Sequence, residues 1–464
     1  MPYTFPELYL CSTAYLRVVF DTSTLRHFKI SNPKYVFLVL KLNVNDTNSN
    51  RYGQNAVATM FQRLGGKFSY RPKQITAFAL LFNTITWYFI GRLMITKMSE
   101  GFPNGSFETL CLQLTYPSAI IISAIVGSIF LIRVPRVRFF WGWMLIGVFT
   151  SLCTAIPTES SLSASLAVAV ALGASMGIGT TICFSYFAES ISIGNRGKVA
   201  GCVLFTTLVS SLFAQAIIPL SSMAFGATLL SIWRIWGLPF LLLVPRGKPT
   251  VIDDTKTPAL SAVVHNKTFY MYFIAWLMFA FVDSLGGVIL APITKGLSLQ
   301  IRLIEPLATS FSAIIAGTLS DWIGRKRVLI FGFVSLGIAY AILGLFSGVL
   351  VSLLFYFVAD GIALGSLWVL FVMVLWGDLT SSGSERFYAV GETPFFLTGI
   401  FSLILTPYVS LIPQNSSFSL AAFFLFISVL PLLYAPETLP EKNIKNRELE
   451  QYVKKAKRIK EKHT

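Results

Sequence analysis

Residues Gly317–Arg327 read GTLSDWIGRKR and lie between two long apolar stretches. A loop that only follows the preference of membrane proteins for basic residues needs neither an acid nor two glycines. Here the order is G-x-x-x-D-x-x-G-R-K-R. Gly317 lets a neighbouring helix backbone come close. Asp321 falls at the end of its helix, where the dipole disfavours a negative charge, so it needs a partner. Arg325 is one candidate, and the positive N-terminus of a helix starting near Glu385 or Arg386 is another. Gly324 suits a tight turn. Arg325 to Arg327 hold the loop at the level of lipid headgroups.

A trace of the same loop lies 190 residues earlier, where Gly127 begins GSIFLIRVPRVR. Arg196 and Arg386 keep that offset, as do Gly201 and Gly391. PRGKP at Pro245 and PETLP at Pro436 are 191 apart and each closes an apolar segment. Together these pairs point to a duplicated half. In the first copy Leu131 stands where the acid would be and Val134 where the second glycine would be. A lock built from the loop is therefore expected to be lopsided, stronger in the second half.

Composition fits this reading. The chain has 464 residues, of which 54% are hydrophobic and 12% charged, with mean hydropathy +0.68. A soluble chain carries about 25% charged residues. About twelve runs are long enough to cross a hydrocarbon core of about 30 Å. They centre near Phe82, Ile122, Leu145, Ala174, Thr207, Trp236, Met278, Phe311, Gly337, Val358, Leu397 and Leu425. The expected fold is an all-α integral membrane protein with two six-helix bundles, 72–245 and 269–436, joined by a cytoplasmic linker over 246–268. Residues 1–71 read as a cytoplasmic extension, either disordered or upstream of a start at Met60. Residues 437–464 read as a basic cytoplasmic surface helix.

The net charge of +16 does not imply nucleic acid, because the bases sit in alternate loops. Arg133, Arg136, Arg138, Arg196, Lys198, Arg246, Lys248 and Arg325–Arg327 fall on one side, with Lys97 and Lys295 on the other. This asymmetry predicts a multi-pass protein of the cell membrane with both termini cytoplasmic. Cys111 and Cys153 would share the outer side, where a disulfide is conceivable. The three histidines, at 27, 265 and 464, lie outside the apolar runs. There is no Walker A pattern and no histidine cluster, so catalysis, ATP-driven pumping and a cofactor or metal site find no support.

The loop pattern resembles the cytoplasmic signature of the major facilitator superfamily, which joins the second and third helix of each six-helix half. Shorter motifs resemble its sugar-porter and organic-ion branches. Glu189 precedes Arg196–Gly197, Trp233–Arg234 opens the sixth helix, and PETLP ends the twelfth. The resemblance covers about residues 72–440 and implies a monomeric carrier of a small solute. It also implies an inner gate network from Gly317, Asp321, Gly324, Arg325, Glu189, Arg196, Glu385, Arg386 and Glu392. In the superfamily, helices one, four, seven and ten line the central cavity. Asn83 stands in the first helix where many sugar–proton symporters carry an aspartate.

Ionisable residues inside a span are costly, by about 3 kcal/mol, and usually functional. Asp283 in the seventh helix lies about 21 Å from its inner start, and Asp360 in the tenth about 15 Å from its outer start, at 1.5 Å per residue. The two acids thus share a depth. Such a pair can hold a coupling proton or meet a cation. Trp276, Tyr356 and Trp368, with Asn83, are the candidate cavity lining, and Tyr356 shares a face with Asp360. Arg234 and Arg302 are candidate partners for the acids, and Glu305 is expected to pair with Arg302. The expected activity is secondary, proton-coupled transport of a sugar, metabolite or organic ion. An efflux antiporter or a non-transporting sensor of the same fold stays open.

Overall fold

The computed structural model describes residues 72–103, 105–130, 134–156, 161–243, 258–380, 383–409 and 411–441, with positions 445, 449 and 453. The expectations for residues 1–71, for Leu131 and for most of the linker and the C-terminal segment lie outside them.

Among the described residues eleven helices are long and apolar enough to cross a membrane: α1 (Pro72–Ser99), α2 (Phe107–Phe130), α4 (Leu162–Ser190), α5 (Ile193–Ile217), α6 (Met223–Leu241), α7 (Lys267–Thr294), α8 (Leu299–Ile323), α9 (Arg325–Leu345), α10 (Leu350–Asp378), α11 (Glu385–Tyr408) and α12 (Gln414–Tyr434). Between α2 and α4 lies α3 (Arg136–Cys153), an 18-residue helix at the place of the third expected span. No strand occurs among the described residues.

Local chemistry sets several starts. Ser161 accepts from the Ala164 N–H, Ser222 from Phe225 and Asn266 from Phe269, each satisfying a donor left over at a helix N-terminus. Gly324 separates α8 from α9 with φ 104°, a conformation open to glycine and strained for other residues. The sixth helix begins at Met223, so Trp233–Arg234 lies in its second half and does not open it. The short Trp-Arg pattern drew attention to the pair and away from the Ser222 cap that starts the helix.

The helices pack as two similar bundles. In the first, α2 packs on α4, α3 on α6, and α1 on α5 and α6. The second repeats this with α8 on α10, α9 on α12, and α7 on α11 and α12. The bundles meet where α5 crosses α8 and where α2 crosses α11. Burial follows from position: 83% of the most apolar 18-residue stretch of α10 is buried, against 33% for α2 and for α11. Outward side chains stay large and apolar, such as Ile122, Phe149 and Phe331, which suits a hydrocarbon surround.

The α5–α8 crossing shows why glycine is needed at Gly317. A Cβ there would stand 2.2 Å from the Gly197 carbonyl oxygen, and one on Gly201 would stand 2.4 Å from that of Ala313. Backbones at this separation leave no room for a side chain. Gly173 and Gly177 of α4 do the same against α2, meeting the carbonyls of Tyr116 and Ile120. Cys111 and Cys153 are free thiols.

Candidate functional site

Two assemblies stand out: an ionic network at the helix ends around Gly324, and a cavity deeper in the helices.

The network begins with Asp321. Its carboxylate accepts from Arg325 and from the backbone N–H groups of Gly197 (3.0 Å) and Lys198 (2.8 Å). The helix N-terminus that steadies it is therefore that of α5 in the first bundle, not that of α11. The reason is packing: the glycine crossing brings the start of α5 directly onto the end of α8. Arg325 is fully buried. It also donates to Asp378 at the end of α10 (3.0 Å), to Ser320 (3.1 Å) and to the Ile193 carbonyl (2.7 Å).

Asp378 is shared across the bundles, because Arg196 at the start of α5 pairs with it and donates to the Ala188 carbonyl. Arg136 at the start of α3 pairs with Glu189 in its own bundle, and with Glu385 at the start of α11 at 2.8 Å. Ser384 and Ser185 join beside this pair at 2.9 Å. The first half nevertheless has a counterpart of the second-half pair. Arg136 and Arg325 open α3 and α9, and Glu189 and Asp378 close α4 and α10, so each half carries an arginine–acid pair; the Arg325 and Asp378 side chains are both fully buried, whereas Glu189 is exposed. The bond across the interface changes polarity: an arginine leads α5 and a glutamate leads α11.

Two further residues are expected in this network. Arg386 donates to the Pro258 carbonyl before α7 (2.9 Å). Glu392 is buried at a break in α11, with neither carboxyl oxygen bonded among the described residues. The PETLP motif gains a role instead. Glu437 accepts from the Arg325 and Lys326 N–H groups (2.8 and 3.1 Å) and so caps α9.

A cavity of about 330 Å³ lies between α1, α7, α8, α10 and α11. It gathers Asp283, Asp360, Trp276, Tyr356 and Trp368 as the sequence suggests, and adds Arg92, Glu305, Phe89 and Phe279. Asp360 is buried at 5% exposure, whereas Arg92 is exposed along the cavity wall. The Tyr356 hydroxyl donates to that of Tyr340 (3.0 Å). Trp276 stacks on Phe371 at 4.7 Å. Trp368 starts a wide π-helical stretch, Trp368–Val374, where the Leu375 N–H reaches back to the Leu370 carbonyl. Such an insertion re-aims the side chains around it and is common at functional sites.

Several expectations are corrected here. No described residue of α4 lines this cavity; Thr180 there bonds the Met176 carbonyl of its own helix. Asn83 does not line it either. Asn83 is fully buried in the first bundle, accepting from Arg234 (2.8 Å) and donating to the Trp233 carbonyl (2.6 Å). Arg234 lies between the Trp87 and Trp143 rings, 4.3 and 4.0 Å from their centres, so it is no partner for the cavity acids. Arg302 is exposed and makes no ion pair with Glu305 among the described residues. Leu299–Arg302 forms its own turn before Ile304–Ile323, which breaks the single-helix spacing that the pairing assumed. Glu305 instead lines the cavity.

Residues 303–462 match the family model of the Major Facilitator Superfamily. No curated protein matches in sequence. Among solved structures, a human organic anion transporter (TETRAN) aligns at 12% identity, covering 78% of this chain and 99% of that one, with TM-score 0.58. The Escherichia coli fucose:proton symporter aligns at 10% identity over 79% and 99%, with TM-score 0.61. The proton:xylose symporter XylE aligns at 17% over 80% and 97%, with TM-score 0.61. The sequence match covers the chain from α8 onward, and the described residues share the all-α fold of these solved structures. Match and fold together support a multi-pass membrane transporter.

Proposed function

We propose that the chain is a secondary active transporter of a small solute, coupled to protons and working by alternating access of its two bundles. The observation that supports this most is the pairing of the two assemblies. At one end, both bundles are tied by buried ion pairs and backbone contact. Deeper in, helices of both bundles enclose a cavity bearing Asp283 and Asp360. Breaking the ties would open that end, and the cavity would then face the other compartment. We assign the tied end to the cytoplasm, because the basic loops gather there.

The solute class follows the earlier expectation: a sugar, a metabolite or an organic ion. In this reading Asp283 and Asp360 carry the proton and the contact with the solute. The aromatic side chains Trp276, Tyr356 and Trp368 shape the cavity. The test is counterflow in proteoliposomes containing the purified full chain, against labelled sugars, carboxylates and amines. One class should exchange above protein-free vesicles. Exchange of none, with the protein folded and inserted, would refute the transporter reading.

A further inference from the structure

The transporter reading leaves the solute open, and the cavity narrows it. We propose that the α7–α10 cavity selects a small organic cation bearing an oxygen acceptor, such as an amino alcohol or a quaternary ammonium alcohol. The proposal rests on the reading above.

Charge is the first argument. Among the described lining residues, Asp283, Glu305 and Asp360 face one cavity against a single guanidinium, that of Arg92. Excess negative charge in a desolvated site is costly unless it is paired. Arg92 offsets one carboxylate and a coupling proton neutralises a second. The third is left for a positive charge on the solute, so the formal count closes with a monovalent cation. An anionic solute would worsen the imbalance.

The walls supply the second argument. Among the aromatic side chains lining the same space, Phe89 and Trp368 are partly exposed, while Trp276 and Phe279 are buried and stacked on one another. Aromatic faces attract alkylammonium groups, most strongly when water is excluded.

The third argument is an unused donor. Trp276 is 1% exposed, lines the cavity, and its indole N–H has no acceptor among the described residues. A buried indole N–H usually finds a partner. A hydroxyl, ether or carbonyl oxygen on the solute would satisfy it.

The neutral polar groups argue against a sugar. No Asn or Gln is among the described lining residues. The hydroxyls of Ser284, Thr398 and Ser402 are already donated to backbone carbonyls (2.6–2.9 Å). These three hydroxyls can then only accept, so a polyol would find few neutral donors for its ring of oxygens.

The test uses matched probes on the purified full chain, read by tryptophan fluorescence. Choline carries the charge and the oxygen. 3,3-Dimethylbutan-1-ol has the same shape with carbon in place of nitrogen. Glucose and benzoate represent the neutral and anionic classes. Choline should quench saturably, with the neutral isostere, glucose and benzoate at least about tenfold weaker. Glu305→Gln, which keeps the volume, should weaken choline about tenfold with the melting temperature unchanged. Equal binding of the isostere, tighter binding of glucose or benzoate, or no binding by any probe would overturn the proposal. Counterflow separates this from the parent reading. Choline binding without counterflow would keep the cation site and sink transport. Counterflow of glucose or benzoate without choline binding would keep transport and sink the cation site.

Discussion

Glu385→Gln isolates one tie between the bundles. The Glu385 side chain is fully buried, and one of its oxygens accepts from Arg136 at 2.8 Å across the interface. Arg136 keeps Glu189 within its own bundle, so the substitution leaves no uncompensated arginine. What changes is the strength of the bond across the interface. A hydrogen bond to a charged group contributes about 1.5–3 kcal/mol and a neutral one about 1 kcal/mol. The loss is then about 1–2 kcal/mol, and at about 1.4 kcal/mol per factor of ten the equilibrium shifts about 5–30-fold. The sign follows from geometry: the bond exists only while this end is closed, so the open fraction rises. Spin labels at Arg138 and Arg327, exposed residues near the starts of α3 and α9, report the separation by double electron–electron resonance. The ratio of long- to short-distance populations should grow by that factor at normal protein abundance. An unchanged distribution, or collapse of abundance, would refute the role of Glu385 as a tie between the bundles.

Three further outcomes follow from the same account. Asp321→Asn removes the carboxylate that accepts from the Gly197 and Lys198 N–H groups. Uptake should fall at least about tenfold with abundance near normal, while Leu131→Ala does far less; equal damage in uptake assays would contradict the lock. Gly317→Val places a Cβ 2.2 Å from the Gly197 carbonyl oxygen, so the same spin labels should report an end that cannot close. Normal closure in that variant would mean the crossing is looser than described. A cysteine at position 104 should react with an impermeant label from outside intact cells and one at position 256 should not. Reaction at 256 would invert the proposed topology.

The fold was legible because its signals are local. Apolar length gives the spans, and the duplicated spacing of Gly127 and Gly317 gives the halves. The cavity was half legible. An acid inside an apolar run is conspicuous, which is how Asp283 and Asp360 emerge. Arg92 was not conspicuous, because a base near a helix end reads as a headgroup anchor. Glu305 looked settled by Arg302 until the turn between them broke the helix. Asn83 and Arg234 meet across 151 residues, and a local pattern carries no such pairing. Asp378 and Arg136 were hidden for the same reason, since their partners come from other helices and partly from the other bundle. The π-helical stretch at Trp368 has no composition of its own. At the loop, the close crossing at Gly317, the positive φ of Gly324 and the pairing of Arg325 with Asp321 were legible because their reasons lie within it. Asp321 was read as needing a helix N-terminus, and it has one, but tertiary packing chose α5 over α11.

The central claim is that cavity carboxyls couple solute movement to protons. The most direct test is accumulation of the transported solute in proteoliposomes under an imposed proton gradient, compared with counterflow at zero gradient, for the unaltered chain, Asp360→Asn and Asp283→Asn. Exchange needs the solute to reorient but no net proton movement. The account predicts that Asp360→Asn abolishes uphill accumulation and leaves counterflow largely intact. It predicts that Asp283→Asn either does the same or weakens solute affinity. If both variants still accumulate solute against its gradient, the two carboxyls are structural and the account of coupling is wrong.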